Sequence, residues 1–316
     1  MRTMAEAVRA GASVTGFDWE RAWHEYQDAR SKPNDAAEWD VRSGSFGSRS
    51  DGVYEGAFLD LAAIRPGETV LDMGCGTGLL AVPLAQAGCR VVCADFAPKM
   101  LESTERAARE AGVADRVETR RLAWDDDWDA AGLGADCVDV AIASRSLATY
   151  HLTDALTKLD SAARRRVCLT VACGNSPCRD ERAYRAVGRR RTVVDDHLYV
   201  FNILVEHGVQ PELRHIVSHR RPGFGGRQAA LEQLSQMMGG DLSEGELAAL
   251  GRFLDEHYAV NPQANPHRQY EADEVRTTRW AFVSWDAPDP GRGGGDAAGD
   301  RGRRPTPRPT RRACST

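Results

Sequence analysis

Thr69-Val70-Leu71-Asp72-Met73-Gly74-Cys75-Gly76-Thr77-Gly78 is the stretch on which the reading of this 316-residue chain turns. A short apolar run ends in an acid. Three glycines follow at alternate positions, and then an apolar stretch from Leu79 to Ala87. That order reads as strand, tight turn, helix. Glycine belongs where the backbone turns sharply and approaches a ligand without a Cβ in the way. The helix behind the turn presents unpaired N–H groups and the positive end of its dipole to that ligand.

A dinucleotide-binding turn has the spacing G-x-G-x-x-G. Here the glycines fall at 74, 76 and 78, and position 79 is Leu, so the pattern is D-x-G-x-G-x-G with Asp72 as its acid. This resembles motif I of the class I S-adenosylmethionine (SAM) dependent methyltransferases. The resemblance implies that the turn, here Gly74, Cys75, Gly76 and Gly78, passes beside the methionine part of the cofactor. It places Asp72 near the amino acid portion.

The next expected strand, Arg90 to Ala94, ends in Asp95, about 20 residues after the turn. A carboxylate at that strand tip is placed to accept hydrogen bonds from both ribose hydroxyls, a feature shared with NAD-binding folds. Phe96-Ala97-Pro98-Lys99-Met100-Leu101 is similar to the family's segment after this strand, which implies that Phe96 and Met100 pack around the adenosine; Met100 also fits a plain core position on a helix over Lys99–Ala111. A third strand, Arg116–Leu122, runs into Ala123-Trp124-Asp125-Asp126-Asp127-Trp128. The resemblance puts an apolar cover for the adenine ring at Trp124 and an acid for its amino group at Asp125. A solvated acidic loop with one buried tryptophan is the plainer alternative.

Cys137–Ala143 reads as a buried fourth strand. It leads into Ser144-Arg145-Ser146-Leu147-Ala148-Thr149-Tyr150-His151. In the family this segment faces the departing methyl group, which makes Ser144 and Arg145 cofactor-side candidates and Tyr150 and His151 candidate general bases. Methyltransferases of nucleic-acid amino groups often carry Asn/Asp-Pro-Pro-aromatic here. Ser-Arg-Ser-Leu departs from that and is more similar to the small-molecule branch, including quinone-type enzymes. Further strands are expected at Arg166–Ala172, Pro211–Ser218 and Thr278–Trp285, the last antiparallel. A helix over Asp195–His207 carries an expected apolar stripe of Leu198, Val200, Phe201, Leu204 and Val205.

The expected architecture is thus α/β: a Rossmann-like, seven-stranded mixed sheet with helices on both faces. Residues 1–16 are expected to be flexible and 17–60 to form an N-terminal helical arm. The SAM-binding domain then covers 61–286, with a helical insertion at about 226–275. In the arm Trp19, Trp23 and Tyr26 share one helical face, and Trp39, Phe46, Tyr54 and Phe58 follow. Such an arm either closes over the pocket or merely covers a sheet edge.

Residues 287–316 are rich in Gly, Pro and Arg and hold seven Arg against three Asp. That composition cannot bury enough surface to order itself. With the whole chain at −5, the remainder is about −9, which disfavours a broad phosphate-binding surface. Eight cysteines, several inside expected strands, suit a reducing cytoplasm. No apolar run approaches the roughly 18 residues of a membrane span. Cys173-x4-Cys178 has no second pair at ligand spacing, so no metal site is expected there.

The function these expectations imply is transfer of a methyl group from SAM to a small-molecule acceptor by direct displacement, with S-adenosylhomocysteine as product. A general base is needed only for a hydroxyl or carbon acceptor. A methyltransferase of protein or nucleic acid, a SAM-binding protein without catalysis and an NAD-linked enzyme remain alternatives.

Overall fold

The structure is a computed structural model that describes residues 4, 16–30, 52–174, 180–190, 195–264 and 266–287. In chain order, helices α1 (Trp19–Arg30) and α2 (Val53–Ala62) precede β1 (Thr69–Met73), α3 (Ala81–Gln86), β2 (Arg90–Asp95), α4 (Pro98–Glu110) and β3 (Val117–Arg121). Next come β4 (Val138–Ser144), α5 (Leu152–Ala162), β5 (Ala163–Ala172), α6 (Glu181–Ala186), α7 (Asp196–Glu206) and β6 (Glu212–Arg220). The chain closes with β7 (Gly223–Phe224), α8 (Arg227–Met237), α9 (Glu244–His257), β8 (Tyr258–Val260), β9 (Tyr270–Ala272) and β10 (Arg276–Asp286).

The main sheet has seven strands in the order β3-β2-β1-β4-β5-β10-β6, and β10 is antiparallel to both its neighbours. The strand order reverses between β1 and β4, and in an open α/β sheet that reversal leaves a crevice at the carboxyl ends of the strands. The register sets Leu71 against Val92 on one side and Ala141 on the other. Successive residues of a strand face opposite ways. Leu71 and Ala141 therefore enter the core with Trp23 and Leu156, while Val70 and Ile142 enter the core of the other face with Phe58 and Phe282. Helix α5 buries Leu152, Ala155, Leu156 and Leu159, an i, i+3, i+4, i+7 stripe. Full burial of each leucine contributes roughly 1.5–3 kcal/mol. The charged strand β3 takes the sheet edge, where Glu118 and Arg121 stay exposed.

Three expectations are corrected. On α7 the buried residues are Val200, Ile203 and Leu204, whereas Leu198 and Val205 are 48% and 38% exposed. The true stripe is narrower and includes Ile203, because these residues face the core that α7 shares with β5, β10 and α5. The insertion is not purely helical. It holds α8, α9 and a three-stranded antiparallel sheet, β7-β9-β8, around its own core of Phe224, Leu234, Leu250, Leu254 and Tyr258. Strands of two or three residues are too short to show alternation. Met4, in the stretch expected to be flexible, is fully buried, and its N–H donates to Asp160 Oδ2 at 3.2 Å. The rest of 1–15, Trp39, Phe46, Cys178 and the Arg-rich segment 288–316 lie outside the described residues.

Candidate cofactor site

The glycine turn leaves β1 and folds against the end of β2. The N–H groups of Gly74 and Cys75 both donate to Ala94 O, at 2.7 and 3.1 Å. Gly74 has φ +73°, and a Cβ there would stand 2.2 Å from Ser146 Cβ. Gly78 has φ +82°, with Thr104 3.2 Å from where its Cβ would be. The first and third glycines are thus required by backbone sign and by close packing together.

Asp95 anchors this turn. Its Oδ2 accepts the Gly76 N–H at 3.0 Å and its Oδ1 the Ala97 N–H at 2.9 Å. It also lines the cleft, so one carboxylate ties the turn to β2 and faces the ligand space. Asp72, one strand over, is 2% exposed, and burial followed by the nearby Asp95 charge pushes its carboxyl up to about 7. The Cys75 thiol is held well above its usual range, first by its contact with Cys93 and then by burial, so it is not a nucleophile.

The opposite wall comes from the ends of β3 and β4. Trp124 Nε1 donates to Ser146 O at 2.9 Å, and Ser146 Oγ donates to Met73 O at 2.6 Å. Arg145 is a non-glycine residue at φ +58°, and its N–H donates to Thr170 O at 3.0 Å. Such a backbone costs of order 1–3 kcal/mol and concentrates at functional sites. Its guanidinium lies 4.0 Å over the ring of Tyr54 and 5.8 Å from that of Trp280. The Tyr54 hydroxyl shares hydrogen bonds with Ser144 Oγ at 2.8 Å and Thr170 Oγ1 at 2.5 Å.

The cleft is a partly enclosed space that opens to solvent at the carboxyl ends of the strands. Of the expected residues it brings together Gly74, Gly76, Asp95, Phe96, Met100, Trp124, Ser144 and Arg145. Met73, Leu122 and Ser146 join them without having been expected. Nothing in Ser144-x-Ser146 marks the second serine as the one that sits on Gly74. Asp72, Cys75 and Gly78 stand behind the lining.

Asp125, expected to meet the adenine amino group, is exposed and accepts the Thr149 hydroxyl at 3.2 Å. Thr149 belongs to the loop that α1 holds through Trp23. Tyr150 and His151 also stand outside the lining. Tyr150 is 42% exposed and stacks on His24 with centroids 4.1 Å apart. His151 is exposed beside them, its ring centroid 6.0 Å from that of His24.

Helix α1 reaches this loop directly. Trp23 Nε1 donates to Thr149 O at 3.0 Å, and Glu20 accepts from the N–H and hydroxyl of Thr153 at 2.9 and 2.6 Å. Tyr26 stacks on Tyr199 of α7 at 5.2 Å. The aromatic face of α1 therefore packs on α7 and on the loop after β4.

The chain is similar to several known proteins. A methyltransferase-domain family matches residues 70–166, from the first strand of the motif into β5. An uncharacterized protein of Haemophilus influenzae is 30% identical over 233 residues, 74% of this chain and 81% of that protein. A ubiquinone biosynthesis O-methyltransferase of Methylocella silvestris is 47% identical over 62 residues, 19% of this chain and 24% of the enzyme. Among solved structures, geranyl diphosphate C-methyltransferase of Streptomyces coelicolor aligns over 83% of this chain and 84% of its own, at 14% identity and TM-score 0.45. The glycine turn held to Asp95, the seven-stranded order with its antiparallel β10 and the domain match point the same way: the chain belongs to the class I SAM-dependent methyltransferase family.

Proposed function

We propose that the chain holds SAM in this cleft and transfers its methyl group to a small-molecule acceptor by in-line displacement, releasing S-adenosylhomocysteine. The convergence of Asp95, the glycine turn and the Trp124 indole on one cleft at the strand reversal carries this reading. Asp95 accepts the ribose hydroxyls, and the turn lies along the methionine portion. Trp124, Met100 and Phe96 enclose the adenine. Ser144 and Arg145 border the sulfonium end. Asp72 sits behind the turn, where the cofactor's ammonium and sulfonium charges favour its ionised form.

The sulfonium is already activated, so the protein's task is to align nucleophile, methyl carbon and sulfur and to exclude water. Such positioning supplies roughly 7–11 kcal/mol in well-oriented reactions. The Ser-Arg-Ser-Leu segment after β4 supports a small acceptor, as does the similarity to an O-methyltransferase of ubiquinone biosynthesis. Arg145, held over Tyr54, is placed to orient an anionic group on that acceptor. Tyr150 and His151 serve as base only if the loop moves toward the cleft, since both stand outside its lining. Helix α1 acts as the arm over this loop, and the described residues from 61 to 286 as the catalytic domain. Among the described residues no helix is long and apolar enough to cross a membrane.

The test is incubation of the protein with methyl-labelled SAM and fractionated cell metabolites, read by mass spectrometry. A labelled small product formed together with S-adenosylhomocysteine is expected. Label appearing only in protein or nucleic acid fractions refutes the small-molecule reading.

A further inference from the structure

A second group of chemistry-bearing side chains lies one strand over from Ser144 and Arg145, at the carboxyl end of β5. Cys173 follows β5, Asp195 precedes α7, His197 stands in the first turn of α7, and His215 comes from β6. One donor atom each from Cys173, Asp195 and His197 lies within 4.8 Å of the others. Cys173 Sγ is 3.9 Å from His197 Nε2 and 3.6 Å from His215 Nε2. Asp195 Oδ1 is 3.7 Å from His197 Nδ1 and is fixed by the Gly174 N–H at 2.8 Å.

A tetrahedral zinc-type ion, with sulfur at about 2.3 Å and nitrogen at about 2.0–2.1 Å, holds its donors roughly 3.3–3.8 Å apart. The two sulfur–imidazole distances, 3.9 and 3.6 Å from Cys173 Sγ to His197 Nε2 and His215 Nε2, lie close to that spacing, and a rotation of the exposed His215 side chain brings it toward the other donors. A further observation points to a ligand: His197 Nδ1 is buried and has no hydrogen-bond partner among the described residues. A buried imidazole nitrogen left unpaired is costly, and an ion on Nε2 fixes the tautomer whose proton sits on Nδ1, facing Asp195 Oδ1 at 3.7 Å. Thiolate, imidazole and carboxylate together suit a borderline-soft cation such as Zn²⁺ rather than Mg²⁺ or Ca²⁺, which prefer oxygen donors.

We propose that Cys173, Asp195, His197 and His215 form a binding site for a zinc-type divalent cation. Binding makes a metal–sulfur bond and breaks the S–H bond of Cys173. The proton leaves to solvent and no electron is transferred. His215 lies on an exposed strand position and keeps the site reachable from solvent. The four ligands come from three separate elements, so no pair at short spacing announces them in the chain.

The experiment titrates Co²⁺ alone into the full chain after chelator treatment. A near-ultraviolet thiolate-to-cobalt charge-transfer band and the intense visible bands of a tetrahedral ion are expected, saturating at one equivalent and bleached by Zn²⁺. Cys173→Ser removes the charge-transfer band. His215→Ala, a truncation at an exposed site, weakens Co²⁺ binding at least tenfold in a folded protein, as judged by circular dichroism. The Glu20–His24–His151 group contains no sulfur and cannot produce that band. SAM binding measured on the same variants stays intact, which separates this site from the cofactor cleft. Failure of the wild type to bind Co²⁺, a band that persists in Cys173→Ser, or unchanged affinity in folded His215→Ala overturns the proposal.

Discussion

Replacing Asp72 by Asn isolates the most perturbed carboxyl of the cofactor region. Asp72 is buried, and desolvation followed by the Asp95 charge raises it from 3.8 to about 7. An acid raised on folding binds a proton more tightly in the native state. Its contribution is fully favourable below about pH 4 and is lost as pH climbs through about 7. The difference of about 3 units corresponds to about 4 kcal/mol at roughly 1.36 kcal/mol per unit. Because the group is buried, solvent screening removes little of it.

Asn is neutral at every pH and nearly the same shape. Urea unfolding of wild type and Asp72→Asn at about pH 5 and about pH 8 therefore gives a difference of differences. Near pH 5 the variant is ahead by only about 1–2 kcal/mol, because the unfolded wild type has already begun to ionise. Near pH 8 the variant gains several kcal/mol relative to wild type. The same burial makes wild-type SAM affinity rise as pH passes about 7, because the cationic cofactor favours the ionised carboxyl. A stability gap between the two proteins that does not change with pH refutes the reasoning.

Four further outcomes are expected. Asp95→Ala weakens SAM binding at least tenfold in calorimetry, through loss of charged hydrogen bonds worth roughly 1.5–3 kcal/mol; Asp95→Asn loses less, and unchanged affinity counts against the ribose role. Gly74→Ala lowers stability by roughly 1–3 kcal/mol from backbone strain alone, with more from the Ser146 clash, so an unaltered thermal midpoint contradicts the turn geometry. Trp124→Ala weakens SAM binding by about tenfold or more, on a stacking contribution of roughly 1–3 kcal/mol, while Trp124→Phe keeps most of it; equal losses in both remove the stacking role. Trp23→Ala costs roughly 3–5 kcal/mol in urea unfolding, since the ring is 1% exposed and anchors the loop at Thr149; a cost under about 1 kcal/mol shows that the arm is only a cover.

Sequence made the cofactor end of the fold legible because glycine sign requirements and strand-tip acids are local. Gly74, Gly76 and Asp95 can be placed by counting along one βαβ unit. The antiparallel β10, expected at Thr278–Trp285, runs over Arg276–Asp286. What sequence hides is assembled across the chain. Tyr54 reaches Ser144 and Thr170 from 90 and 116 residues away, and the Cys173 cluster joins β5, α7 and β6. Asp125 is a further case: its position after β3 fits the family pattern, and its bond to Thr149, which α1 holds in place, is not readable from the local sequence. The α7 stripe likewise depends on tertiary partners: which apolar residues are covered is set by how the helix sits on β5, β10 and α5.

The central claim is the identity of the ligand that the cleft accepts. Isothermal titration of the wild-type chain with SAM and, separately, with NAD⁺ addresses it directly. One SAM bound per chain, displaced by S-adenosylhomocysteine, with no heat from NAD⁺, is the predicted result. Absence of SAM binding by the folded protein, or saturable binding of NAD⁺ in its place, contradicts the account.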